Sequence, residues 1–126
     1  MSKKTIKTDR APAAIGPYSQ AVISSGLLFT SGQLPIDPAT GKIPDGSIED
    51  RAHMVFKNLE AIATAAGTTL DNAVKTTVYL ADIGNFQAVN NVYAQYFKEP
   101  YPARSAFQVA ALPLDADVEV EAIFQI

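Results

Sequence analysis

The sequence predicts an α+β fold, a mixed β-sheet with two helices packed on one of its faces. Three observations predict it. Residues 48–66 and 85–98 repeat their apolar positions at the 3.6 period of an amphipathic helix. Residues 74–81 and 117–126 alternate as half-buried strands do, and 20–31 and 103–109 carry shorter strand signals. These segments follow one another as β-β-α-β-α-β-β within 126 residues, which fits one domain spanning 1–126.

The elements justify themselves in order. Gln20–Ser31 reads as two short strands that turn at Ser24-Ser25-Gly26. From Gln33 to Gly46 the chain is punctuated by Pro35, Pro38, Gly41, Pro44 and Gly46, a loop with a tight turn at Asp37–Gly41. Ser47 and Asp50 stand at the spacing of a capping box and start the first helix. Its stripe is Ile48, Ala52, Val55, Phe56, Leu59, Ile62, Ala63 and Ala66, and Gly67 ends it. Val74, Thr76, Val78 and Leu80 share one face of the next strand. The second helix runs from about Asn85 to Lys98 with Phe86, Val89, Tyr93, Tyr96 and Phe97 along one side, and Pro100 stops it. On a strand from Ala103, Arg104, Ala106 and Gln108 share one face and Ser105, Phe107 and Val109 the other. In the last strand Val118, Val120, Ala122, Phe124 and Ile126 oppose Asp117, Glu119, Glu121, Ile123 and Gln125. With both helices on one side, Tyr79 and Ile123 fall on the uncovered face. That face is too apolar for water alone, which points to self-association through the sheet.

Composition excludes several classes of function. Apolar residues are 48% and charged residues 18%, the balance of a globular chain. No apolar run approaches the ~20 residues that span a bilayer, and the charged first ten residues have no hydrophobic block behind them. The default reading is therefore a cytoplasmic protein without membrane contact. There is no cysteine, hence no disulfide, thiolate nucleophile or thiolate metal site. The net charge of −3, with basic residues grouped only at Lys3, Lys4, Lys7 and Arg10, argues against nucleic acid as a partner.

Few residues are left to carry chemistry. His53 is the only histidine, and no carboxylate cluster has ligand spacing, so no metal is expected. His53 itself reads as a helical residue at the edge of the apolar stripe. No serine sits in a nucleophile elbow, and Gly41-Lys42 lacks the upstream glycine of a phosphate loop. Arg104 stands among small and apolar neighbours in Tyr101-Pro-Ala-Arg-Ser-Ala-Phe107. If Ser105 and Phe107 face the core, Arg104 lies on the open face. A hairpin of 104–109 with 118–124 would then bring it diagonally beside Glu121. Two readings stay open on the residues alone: a structural ion pair or unrelated surface charges, and a site in which a guanidinium clamps a carboxylate while a glutamate moves a proton.

Five stretches carry a further resemblance: Ala11-Pro-Ala-Ala-Ile-Gly-Pro-Tyr-Ser-Gln20, Thr30-Ser-Gly-Gln-Leu-Pro35, Val74-Lys-Thr-Thr-Val-Tyr-Leu80, Pro102-Ala-Arg-Ser105 and Val120-Glu-Ala-Ile123. In this order and spacing, over Thr5 to Ile123, the chain resembles the RidA/YjgF family of reactive-intermediate deaminases. The resemblance implies a chorismate-mutase-like fold assembled as a homotrimer, with the three sheets forming a central barrel and ligand clefts between subunits. It implies hydrolysis of 2-iminobutanoate and 2-iminopropanoate, released by pyridoxal-phosphate-dependent threonine and serine dehydratases, to 2-keto acids and ammonia, with no cofactor. Carried over by position, Arg104 grips the substrate carboxylate, the Ala106 carbonyl meets the imine nitrogen, and Glu121 aligns water. Tyr18, Ser31, Gly32, Phe86 and Asn90 line the cleft. Two departures stand out: alanine at 106, where many relatives have cysteine, and a short loop before Pro102. The alternatives are a non-catalytic trimer that binds 2-keto acids, and the translation-inhibiting ribonuclease activity attached to some relatives.

Overall fold

Each strand that the sequence predicts is present, and one more precedes them. The structure, a computed structural model, describes residues 2–126. Its strands are β1 (Lys4–Ile6), β2 (Ala21–Ser24), β3 (Leu27–Thr30), β4 (Ala73–Leu80), β5 (Ala103–Gln108) and β6 (Val118–Gln125). The long helices are α1 (Ile48–Ala65) and α2 (Phe86–Tyr96). One six-stranded sheet results, in the order β1-β2-β3-β6-β4-β5. Neighbours are antiparallel except β4 and β5, which run parallel and are joined through α2. The unpredicted β1 is three residues long, too short for an alternation to show.

Local chemistry explains the joints. β2 and β3 meet at Ser25 and Gly26, whose φ of 54° and 77° form the left-handed pair of a tight hairpin. The Asp37–Gly41 turn closes with Gly41 N–H on the Asp37 carbonyl at 2.8 Å. At the start of α1 the Asp50 N–H donates to Ser47 Oγ at 3.1 Å, and the Ser47 N–H to Asp50 Oδ2 at 3.3 Å. The capping box is therefore reciprocal.

Both helices cover one face of the sheet. Val55, Phe56, Leu59 and Ile62 of α1 are fully buried with Leu28, Leu80, Val118, Val120 and Phe124 of the sheet. Each such side chain contributes ~1.5–3 kcal/mol by leaving water. Phe56 also meets the rings of Tyr93, Tyr96 and Phe97 at 5.6, 5.3 and 5.9 Å, which locks α2 against α1. Buried Asn58 is satisfied by donating to the Leu34 and Ile36 carbonyls, so it pins the long loop to the helix. Arg51 Nε and Nη2 hold Asp117 Oδ2 at 2.8 and 2.7 Å.

Three sequence expectations need correction. Val74 does not share the buried face: a bulge between Ala73 and Lys75 turns it outward, and Ala73 takes the core position. α2 stops at Tyr96, well before Pro100, because Phe97 turns extended and drops its ring onto Tyr93 at 4.4 Å. The hairpin of β5 with β6 does not form, because β4 lies between them. The uncovered face carries Phe29, Tyr79, Phe107 and Ile123, with Phe29 and Phe107 at 40% and 45% exposure. Among the described residues no helix is long and apolar enough to cross a membrane.

Candidate active site

β5 decides where Arg104 points. Its parallel pairing sets Arg104 level with Thr76, Ala106 with Val78 and Gln108 with Leu80. Residues level in a sheet share a face, and Thr76, Val78 and Leu80 are buried beneath the helices. Arg104 and Ala106 thus lie on the helix side, the reverse of the sequence expectation. The assumption that Phe107 must face the core fails because β5 is an edge strand. Phe107 packs edge-on against Tyr79 at 5.3 Å on the open face instead.

α2 then builds a cradle around the guanidinium. Arg104 Nη1 donates to Asn90 Oδ1 at 2.7 Å, and Cζ lies 4.7 Å from the Tyr93 ring centre and 5.4 Å from that of Phe86. The Tyr93 and Thr76 hydroxyls share a buried hydrogen bond of 2.8 Å. Burial pushes the Tyr93 hydroxyl up, against smaller opposing effects of that bond and of Arg104, so the ring is a neutral platform. Among the described residues the ion pairs are Arg51–Asp117 and Lys98–Asp71, and neither involves Arg104. A cavity of about 410 Å³ opens beside the guanidinium, lined by Asn90, Tyr93, Ala94, Tyr101, Pro102 and Arg104. One face of this arginine is stacked and one nitrogen is occupied; the rest can bind a carboxylate.

The backbone of β5 adds an acceptor. Val109 N–H donates to the Leu80 carbonyl at 2.9 Å, so 105, 107 and 109 turn their peptide groups toward β4. Alternation aims the Ala106 carbonyl off the free edge of the sheet. Alanine in place of a larger side chain leaves that carbonyl unchanged.

The other predicted residues gather elsewhere. The register of β3 on β6 pairs Phe29 with Ile123, and beyond the end of β3 a one-residue offset brings Gln33 opposite Val120. Ser31 Oγ donates to the Ser19 carbonyl at 2.6 Å, and its N–H to the Gln20 carbonyl at 2.9 Å, which ties the end of β3 to the segment bearing Tyr18. Buried Gln20 holds that segment in turn, donating to the Thr8, Ala11 and Pro12 carbonyls and accepting from Thr8 N–H. Tyr18 is 53% exposed and borders a second cavity of about 410 Å³ between β1 and this segment. Gly32 lies against the Glu119 carboxylate. Burial, then the neighbouring Glu121, pushes Glu119 above the usual carboxylate range. Burial, then Glu121 and Glu119, pushes the Tyr79 hydroxyl up.

Two half-sites therefore exist in one chain. Phe86, Asn90, Arg104 and Ala106 form one on the helix side of β5. Ser31 and Gly32, with Tyr18 on the adjoining segment, form the other, and the carboxylate that lies against Gly32 there is that of Glu119. Glu121 is level with Thr77, and Thr77 with Ser105, so β4 separates it from β5 and it faces the open side. The expected diagonal contact of Arg104 with Glu121 is absent. Sequence reasoning missed Tyr93, whose position in an apolar helical stripe gave no sign of a cation platform. It also missed Glu119, although strand parity places it beside Glu121. His53 Nδ1 meets the Tyr96 hydroxyl at 2.8 Å between the helices, and the described residues contain no acidic or histidine cluster able to hold a metal.

Comparison with known proteins gives this arrangement a context. Residues 8–126 match the family model described as Endoribonuclease L-PSP. A Homo sapiens protein named 2-iminobutanoate/2-iminopropanoate deaminase is 48% identical over 121 residues, 96% of this chain and 88% of its own length. An Arabidopsis thaliana protein, Reactive Intermediate Deaminase A, chloroplastic, is 49% identical over 98% of this chain and 66% of its own. The crystal structure of E. coli TdcF with bound serine superposes with a TM-score of 0.92 at 43% identity, covering 98% of each chain.

Proposed function

The chain belongs to the Endoribonuclease L-PSP (YjgF/RidA) family, and on that premise we propose that it is an imine deaminase. Its substrates are small 2-imino acids, 2-iminobutanoate and 2-iminopropanoate, which it hydrolyses to 2-keto acids and ammonia. The observation that carries this reading is the Arg104 guanidinium, stacked on Tyr93, tied to Asn90 and facing a cavity without a carboxylate partner. Relatives named as deaminases of such imines support it.

The reaction asks little of a protein. Water adds to C2 of the C=N bond, the nitrogen takes a proton, and the carbinolamine collapses to ketone and ammonia. Arg104 holds the substrate carboxylate in two-point fashion, and the Ala106 carbonyl accepts from the imine N–H. Glu121 aligns the water, accepts its proton and passes it to the leaving nitrogen. Orientation and proton transfer of this kind give roughly 10²–10⁴-fold. No cofactor takes part in these steps. The unstable imines are supplied by pyridoxal-phosphate-dependent dehydratases in the same compartment, the cytoplasm in this reading.

One substrate of this size cannot reach both half-sites of one chain, since about 10 Å of sheet separates β5 from β6. In the proposed homotrimer each cleft takes Arg104 from one subunit and Glu121 from the next. The apolar open faces with Phe29, Tyr79 and Ile123 turn inward to form the central barrel.

The test is ammonia release in a dehydratase-coupled assay. Arg104→Ala should lower kcat/KM about a hundredfold or more; an unchanged rate would remove the carboxylate clamp and the proposal with it. Tight binding of 2-ketobutyrate without turnover would indicate the binding-only reading instead. RNA cleavage that survives Arg104→Ala would favour the ribonuclease in the family's description.

A further inference from the structure

The segment that leads into α1 holds a chemically reactive pair. Asp45-Gly46 is the one place in the chain where an aspartate or asparagine precedes a glycine. Both residues are exposed, between the Asp37–Lys42 bridge and the helix. Among the described residues, the Asp45 carboxylate has no ion-pair partner and the Gly46 N–H donates to no backbone carbonyl.

The fold keeps position 46 bare. Its φ of 146° is one that glycine adopts freely and L side chains rarely do. A Cβ there would also come within 2.9 Å of Asp50 Oδ2. That oxygen is the one that accepts from the Ser47 N–H in the capping box. The cap of α1 therefore requires a glycine at 46, and the unshielded nitrogen of that glycine follows an aspartate.

We propose that Asp45-Gly46 is a site of spontaneous modification, at which Asp45 converts to isoaspartate and thereby loosens the start of α1. The Gly46 nitrogen attacks Cγ of the protonated Asp45 side chain. The N–Cγ bond forms, the nitrogen gives up its proton, and a carboxyl oxygen leaves as water. Water then opens the five-membered succinimide at either carbonyl. Opening at Cγ restores aspartate, whereas opening at the main-chain carbonyl leaves the chain running through Cβ and Cγ. The water lost is regained, so nothing else is consumed.

The β-linked chain is one carbon longer between residues 45 and 46, about 1.5 Å of bond. Gly46 is held on two sides against such a shift. Its carbonyl accepts from Arg51 Nη1 at 2.5 Å, and Asp50 lies over its Cα. Arg51 in turn holds Asp117 at the entry to β6. Isomerisation thus strains the capping box and the Arg51–Asp117 pair together.

The test is to age the unaltered protein and Asp45→Glu side by side for several weeks in neutral buffer. A synthetic peptide, Lys42 to Glu49, is aged with them as the unfolded reference. Electron-transfer mass spectrometry, which tells the two linkages apart, should find isoaspartate accumulating at 45 in the unaltered protein. Asp45→Glu, whose six-membered ring closes far more slowly, should stay unchanged. In denaturant melts the converted protein should show an unfolding constant raised about fivefold, the size of a lost helix cap, while aged Asp45→Glu keeps its midpoint. Conversion of the peptide but not of the folded protein would overturn the proposal, since the fold would then protect the pair. Conversion with an unchanged unfolding constant, or equal loss of stability in both proteins, would refute the link to α1. None of these readouts involves the cleft, so a failed deaminase assay leaves them intact.

Discussion

Tyr93 joins the core to the site through its two ends. The ring carries Arg104 and the hydroxyl satisfies Thr76, which has no exposure to water. These contributions separate by substitution. Tyr93→Phe keeps the platform but strands the Thr76 hydroxyl, so it should cost ~1–3 kcal/mol in denaturant melts with KM nearly unchanged. Tyr93→Leu also removes a cation–π contact of about 1 kcal/mol, and KM should rise about fivefold. Equal KM for the two would show that the ring does not hold the guanidinium. At this scale Arg104 was legible in the sequence as a charge without a carboxylate beside it, because charged residues among apolar ones stand out. Tyr93 was not, because a tyrosine at helical spacing looks the same whether it fills a core or supports a cation.

Elements were the most legible level where short-range chemistry sets them. α1 begins at Ser47 and is followed by Gly67, as capping box and left-handed exit require. Ser47→Ala should lower stability by ~0.5–2 kcal/mol, read as a shift in denaturant midpoint with an unchanged slope; no shift would make the cap incidental to a helix held by its packing. Legibility failed where the answer depended on a neighbour. Val74 continues a clean alternation, and only pairing with β6 reveals the bulge that turns it outward. β5 has small or apolar residues on both faces, so its sequence cannot say which one the helices cover. Pairing with β4 settles it, and moves Arg104 to the side opposite the one parity favoured.

At the scale of the whole molecule, the two half-sites lie on opposite faces and on strands separated by β4. The sequence suggested a sticky open face but could not show that the proposed pair, Arg104 and Glu121, is divided between two faces. The division makes a sharp prediction for the proposed trimer. Arg104→Ala and Glu121→Ala proteins, each inactive alone, should recover activity when unfolded together and refolded as mixed trimers. At equal proportions one interface in four joins the intact arginine to the intact glutamate, so about a quarter of the wild-type rate should return. No recovery would place both residues in one subunit's site and contradict the shared cleft.

The position of β6 has a consequence for the chain's biogenesis. The last strand in sequence order lies in the middle of the sheet, between β3 and β4. Until it is synthesised, the β1–β3 hairpins and the β4–α2–β5 unit have no strand between them, and each exposes an unpaired edge. The contacts β6 makes with β3 span nearly a hundred residues, from Leu27 to Gln125, so closure carries a large loop-entropy cost and comes late. A ribosome making this protein holds two unjoined pieces with sticky edges until the final segment emerges, and that interval is when a chaperone matters most.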